Sequence, residues 1–241
     1  MKKCMRLFPL LVTLLVASSL GVVGWAADKG KPEVLPFDAI DFFFEFNSTD
    51  EDLGVQLCLG GDPWKRLKIY APDGKKILDV ECKDSLKEFG LSSFFFESNE
   101  PTFDEVSEED ILGLFPEGEY EFVATTIEGD ILEGTAELTH DIPGAPVILT
   151  PADGDVVDPD DVVVTWSKVT TPAGIKIQSY QVIVTNDEDS AFTYDVRVPA
   201  DVTSLSVPSE FFAPDTEYEL EILAVEESGN QTIALIFFTT E

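Results

Sequence analysis

The sequence predicts an all-β protein built as two β-sandwich domains in tandem, and three observations carry that expectation. Short apolar or alternating runs recur along the chain and are broken by Gly, Pro, Asp and Asn, which is how strands and turns are written. A Pro/Gly-rich stretch at 141–146 separates two sets of seven such runs, and seven short strands in roughly 100 residues are enough for one sandwich. Only one segment has helical character.

Lys2, Lys3 and Arg6 precede an uncharged run over 7–27, and Gly24 and Ala26 stand at −3 and −1 of a cut after Ala26. This is the form of a secretory signal peptide spanning 1–26. A run of about 20 residues is also long enough for an uncleaved N-terminal anchor. Pro9 early in the run and the Ala26-Ala27-Asp28 sequence favour cleavage. Cys4 precedes the apolar run and is badly placed for lipid attachment, and no second long apolar segment follows. The expected localisation is secreted or periplasmic/cell envelope, with no membrane span after signal cleavage.

In the first domain, 27–140, strands are expected at 40–46, 55–59, 67–70, 77–82, 94–97, 119–126 and 131–139. Ala71-Pro72-Asp73-Gly74 has Pro to start a turn and Gly for positive φ, and Glu128-Gly129-Asp130 joins two alternating runs. In the first of those runs Tyr120, Phe122 and Ala124 share the core side while the glutamates face water. Ser107 is placed to cap one short helix, with Glu108, Glu109 and Asp110 in its first turn. Ile111, Leu112, Leu114 and Phe115 supply its apolar face and Pro116 stops it. Phe42-Phe43-Phe44 and Phe94-Phe95-Phe96 lack alternation and are expected to be buried on both faces or to lie at the domain interface. A Cys58–Cys82 bridge would contribute about 3 kcal/mol in an oxidising compartment. Alternation sets Cys58 with Gln56 and Cys82 with Leu78 and Val80, which favours two packed free thiols. Strand count and spacing make this domain immunoglobulin-like at the level of class only.

After the 141–146 linker, the second domain, 147–241, has runs at 147–150, 162–166, 177–185, 192–198, 204–207, 218–225 and 232–239. Pro146 and Pro151 flank the first, Trp166 ends the second, and Tyr180-Gln181-Val182-Ile183-Val184 lies in the third. Leu205 and Val207 follow, then Phe212-Ala213-Pro214-Asp215-Thr216-Glu217-Tyr218 leading to Ala224, and Gly229-Asn230 before the last run. Over about 141–241 the chain resembles a fibronectin type III domain. The resemblance implies a sandwich without disulfides, in which Pro214 and Tyr218 form the turn into strand F and the Tyr hydroxyl bonds back to the backbone. It also implies the adhesive or spacing roles such domains commonly serve.

There are 47 Asp plus Glu against 15 Lys plus Arg, a formal charge of −32, and 44% of residues are apolar. Such a chain can bury a core, and its charge makes nucleic acid and anionic lipid poor partners. Signal removal takes three basic and no acidic residues, leaving −35, divided −19 and −16 between the two domains. Charges further apart than about 8 Å are screened in physiological salt, so stability is expected to be lost as ionic strength is lowered.

A search for chemistry gives little. The densest acidic group is Asp153-Gly154-Asp155-Val156-Val157-Asp158-Pro159-Asp160-Asp161, whose oxygens suit Ca²⁺ but lack the EF-hand spacing, so a solvated acidic turn is the simpler reading. Asp50-Glu51-Asp52 and Asp187-Glu188-Asp189 are contiguous runs with diverging side chains. One His and two separated Cys cannot assemble a zinc site. His140, the only candidate base, is expected to be a surface or capping residue, so no catalytic residue is assigned. Gly60-Gly61-Asp62-Pro63 would repel phosphate.

Recognition remains. Trp64, with Pro63, Lys65 and Arg66, reads as an exposed turn aromatic, and Lys65, Arg66, Lys68, Lys75 and Lys76 form a basic patch able to dock an acidic partner or polysaccharide; local charge balance is the bland alternative. Asn47-Ser48-Thr49 and Asn230-Gln231-Thr232 fit the glycosylation acceptor. The expected function is a non-catalytic exported binding or spacer module, its partner a protein or polysaccharide at the cell surface. The alternatives are a calcium-dependent structural protein of envelope or matrix, and an accessory subunit of a polysaccharide-degrading system. No cofactor is assigned, Ca²⁺ being the one candidate.

Overall fold

The computed structural model describes residues 31–241; the expected signal peptide, with its cleavage or retention as an anchor, and Cys4 lie outside them. No helix among the described residues is long and apolar enough to cross a membrane.

The first sandwich is made from β1 (Val34–Pro36), β2 (Ala39–Asn47), β3 (Asp52–Tyr70), β4 (Lys76–Glu81), β5 (Leu91–Glu97), β6 (Gly118–Thr126) and β7 (Ile131–Leu138). The expected strands at 55–59 and 67–70 are a single one. The first half of β3 pairs with β2 and β5, its second half with β4 and β6. The chain thus crosses from one layer to the other without a turn, and the register shifts between Gly60 and Trp64 mark the corner. Glycine permits that corner: a Cβ on Gly61 would lie 3.2 Å from both Leu132 and Phe37. β1, a strand the sequence reading lacks, lies parallel to β7.

Two short helices are present where one was expected. α2 (Glu108–Leu114) is that helix: the Ser107 hydroxyl accepts from the Asp110 N–H at 3.2 Å, and Ile111 is its buried anchor. α1 (Ser85–Phe89) buries no residue, so no apolar periodicity marks it; it ends where Gly90, at φ 76°, turns its N–H back to the Leu86 carbonyl. Alternation in β6 is as expected, with Tyr120, Phe122 and Ala124 buried. They share a core with Phe42, Phe44, Leu57, Leu67 and Leu132. The phenylalanine runs are correctly assigned to packing only in part, because Phe95 is 40% exposed. Cys82 is a free, buried thiol 3.9 Å from the Trp64 carbonyl, so the Cys58–Cys82 bridge does not form, and the expectation of two free thiols holds for Cys82 alone, Cys58 being disulfide-bonded.

The second sandwich comprises β8 (Ile148–Thr150), β9 (Val156–Val157), β10 (Val163–Trp166), β11 (Ile177–Asn186), β12 (Thr193–Pro199), β13 (Ser204–Ser206), β14 (Glu217–Glu226) and β15 (Gln231–Thr240). Its layers run β13-β10-β8 and β12-β11-β14-β15, with β9 parallel to β15. Trp166, Tyr180, Tyr218, Leu220 and Phe238 fill the space between them. The Tyr218 hydroxyl accepts from the Ala213 N–H at 2.7 Å, the corner the resemblance implied. The first sandwich repeats this corner: Tyr120, also four residues after a proline, donates its hydroxyl to the Pro116 carbonyl at 3.0 Å. All-β architecture with two sandwiches is therefore what the chain adopts.

Candidate functional site

Each feature singled out in the sequence is placed by these strands. The basic patch is neutralised where it stands. Arg66 grips Asp79 with Nε at 2.8 Å and Nη2 at 2.9 Å, Lys76 reaches the same carboxylate, and Lys75 pairs with Asp73 at 2.6 Å. The Arg66 and Lys76 hydrogen bonds hold the Asp79 carboxyl well below its usual range. Lys65 donates to the Ile127 carbonyl at 3.2 Å. Local charge balance is the arrangement found.

Trp64 is not an exposed aromatic. It lies in β3, fully buried, edge-on to Phe94 at 6.0 Å, because the β3 corner turns its side chain into the core. Three of the five carboxylates in 153–161 accept backbone N–H bonds: Asp153 from Phe237 of β15, Asp155 from Ala152 and Asp158 from Asp160. The 50–52 and 187–189 runs do similar work, Asp50 accepting from the Asn47 amide and Asp189 from the Ala191 N–H. His140 is a half-buried capping residue whose Nε2 lies 2.9 Å from the Phe115 carbonyl and whose ring meets Phe44 edge-on at 5.7 Å. It edges an open groove of about 520 Å³ with Glu108, Glu109, Leu112, Pro116 and Glu117. A lone imidazole among carboxylates and apolar carbon offers no nucleophile–base pair.

The sequence reading missed the place where the two sandwiches join. The last residues of β2 run parallel to the first of β15, pairing Glu45, Phe46 and Asn47 with Gln231, Thr232 and Ile233. One sheet therefore passes from the first sandwich into the second. Asn230 fastens its start: Oδ1 accepts from the Phe44 N–H at 2.8 Å, while Nδ2 donates to the Thr139 carbonyl at 2.9 Å and to the Asp141 carbonyl at 3.3 Å. At 1% exposure and fully bonded, Asn230 is no acceptor for a glycan in the folded chain. Ser48 donates to the Ile233 carbonyl at 2.6 Å, and the Thr49 hydroxyl accepts from the Leu235 N–H at 3.1 Å. The linker is bonded too, with Thr232 donating to the Pro143 carbonyl at 2.5 Å and the Gly144 N–H to the Thr171 carbonyl at 2.7 Å.

On the outer face of this shared sheet, carboxylates converge. Among the described residues, Glu45, Glu97 and Glu100 form the group of three whose oxygens all lie within 4.8 Å of one another. Glu45 comes from β2 and receives the Gln231 amide of β15; Glu97 ends β5 and Glu100 follows it. Gly54 makes the room, since a Cβ there would lie 2.6 Å from Glu100 Cγ. Burial, with a hydrogen bond that the protonated Glu100 carboxyl donates to Glu97 and the charges of Glu97, Glu45 and Asp52, pushes the Glu100 carboxyl up to about 8. No sequence signal flags this group: its members are 55 residues apart and join only through strand register.

Comparison with protein-family models gives no match, and comparison with curated proteins gives none either. Among solved structures the chain is similar to the fibronectin FN1–FN3 domains of chicken CNTN1, at 15% identity and a TM-score of 0.36, over 87% of this chain and 69% of that one. At that TM-score the likeness is too remote to bear on role, and the fold rests on the strand order and the tyrosine corners described above.

Proposed function

We propose that this chain is an exported, non-catalytic binding or spacer module that presents two β-sandwiches at a set angle to a protein or polysaccharide partner at the cell surface. The observation that supports this reading best is the shared sheet. Parallel pairing of β2 with β15 and the Asn230 bonds resist rotation about the linker, as a spacer requires and as catalysis on a flexible loop does not. The groove at His140 is open and edged by Glu108, Glu109 and Glu117, and broad sandwich faces are better suited to docking another surface than to enclosing a small substrate. The accessory polysaccharide reading loses its anchor with Trp64 in the core.

Small-angle scattering tests the spacer part: the profile of the chain at physiological salt is expected to match one rigid body with this geometry. A profile that requires an ensemble of inter-sandwich angles overturns it. Recovery of a specific partner from the native cell envelope, with the chain as bait and its recovery abolished by competing free chain, tests the binding part.

A further inference from the structure

We propose that Glu45, Glu97 and Glu100, with the side-chain amide of Gln56, form a site for Ca²⁺ on the sheet face where the two sandwiches meet. Three carboxylates within 4.8 Å of one another are held by elements that would place them there whether or not they repelled: two strands and the segment that leaves β5. Repulsion at that range is relieved by a proton or by a cation. Two buried polar groups point to the cation.

Gln56 is only 4% exposed, yet its Nε2 has no hydrogen-bond partner. Its cross-strand neighbours are Phe43 and Glu97, so its side chain shares the face of Glu45 and Glu97. A buried amide without a partner is costly unless something occupies the space it faces. Its oxygen and nitrogen exchange by a simple flip, which turns Oε1 toward a cation. The second group is Glu100 Oε1, buried with no partner, on a side chain admitted only because residue 54 is glycine. The Gln231 amide takes one oxygen of Glu45, fixing that carboxylate from the second sandwich.

The donor set is all oxygen. Three carboxylates, each binding through one or two oxygens, together with the Gln56 carbonyl and water, meet the six to eight oxygens that Ca²⁺ takes at about 2.3–2.6 Å. Mg²⁺ demands a tighter octahedron and gives up its water reluctantly, so the irregular set selects the larger ion. Because Glu45 is bonded to Gln231, a cation there ties β2, β3 and β5 to β15. The inference rests on junction geometry and is independent of export and of the spacer role.

The test is titration of the chelator-treated full chain with CaCl₂ and, separately, MgCl₂ at constant ionic strength, read by calorimetry and by melting temperature. One saturable Ca²⁺ site per chain is expected, with a rise in melting temperature that NaCl does not reproduce and weaker binding of Mg²⁺. Glu97→Gln and Glu100→Gln are each expected to lower Ca²⁺ affinity at least tenfold. Both keep side-chain shape and remove repulsion, so without cation they melt no lower than the parent. Gly54→Ala, which displaces Glu100, is expected to weaken binding as well, whereas Asp155→Asn on the acidic turn leaves it unchanged. A Ca²⁺ effect matched by NaCl, or one retained in both Glu→Gln variants, overturns the proposal. So does saturable binding lost in Asp155→Asn instead.

Discussion

Replacing Asn230 by alanine tests whether the junction is a structural unit. The side chain accepts from the Phe44 N–H and donates to the carbonyls of Thr139 and Asp141, and it is 1% exposed. Truncation leaves those backbone groups without their partner where water has little access. An unsatisfied buried group costs about 1–3 kcal/mol, so the loss of the two shorter bonds, Phe44 and Thr139, comes to about 2–6 kcal/mol. That is a large share of the roughly 5–15 kcal/mol a folded chain has. Urea unfolding measures it, with Trp64 and Trp166 fluorescence reporting one sandwich each. The midpoint is expected to fall for both sandwiches, because each contributes backbone to the same clamp. Asn230→Asp keeps the acceptor for Phe44 but turns an anion toward two carbonyl oxygens, so it is expected to cost at least as much as alanine. A change below about 0.5 kcal/mol in the alanine variant, or an aspartate variant as stable as the parent, refutes the assigned role.

Four further outcomes follow from the geometry. Tyr218→Phe strips the acceptor from the Ala213 N–H and Tyr120→Phe strips the donor from the Pro116 carbonyl, so each is expected to lower stability by about 1–2 kcal/mol in denaturant titration, with an unchanged fold by circular dichroism. Trp64→Ala empties a fully buried site and is expected to cost about 3–5 kcal/mol; a surface residue would cost almost nothing. The melting temperature is expected to rise between about 10 mM and 500 mM NaCl as like charges are screened, and a flat profile contradicts it. In metal-free buffer the Glu100 carboxyl, raised to about 8 in the fold, takes up a proton that the unfolded chain binds only near its ordinary value. Its contribution is therefore full below pH 4–5 and is lost as pH rises toward 8, and Glu100→Gln is expected to flatten that part of the stability–pH curve.

Sequence pattern carried most of the fold because alternation and turn chemistry are local. β6 displays its inward residues at every second position, and Pro214 to Tyr218 spells out a corner within five residues. Pro116 to Tyr120 spells out the same corner, but Pro116 also stops α2, so its local context reads first as a helix end. The failures have other causes. Gly60-Gly61-Asp62-Pro63 has turn composition, but β3 uses its small residues to bend between layers, so turn signals there marked a corner and made Trp64 look exposed. α1 is invisible because it buries nothing. The carboxylate cluster depends on pairing between β2, β3, β5 and β15, and no window of sequence contains register between such distant strands.

The junction also answers a question that charge raises. The halves carry −19 and −16, and in dilute salt their repulsion acts over distances longer than the linker. Prolines stiffen a chain but do not hold two bodies together. What resists separation is a set of bonds crossing from one sandwich to the other: the three-pair ladder, the Asn230 clamp, Ser48 to Ile233 and Leu235 to Thr49. At about 1 kcal/mol net for each buried bond, and less for the exposed Leu235–Thr49 bond, they exceed thermal energy several-fold. Lowering the ionic strength leaves the bonds unchanged and raises the repulsion, so loss of the fixed angle is expected before either sandwich unfolds. Scattering at about 10 mM salt that shows the sandwiches still locked while their melting temperature falls would place the strain of charge within each sandwich instead.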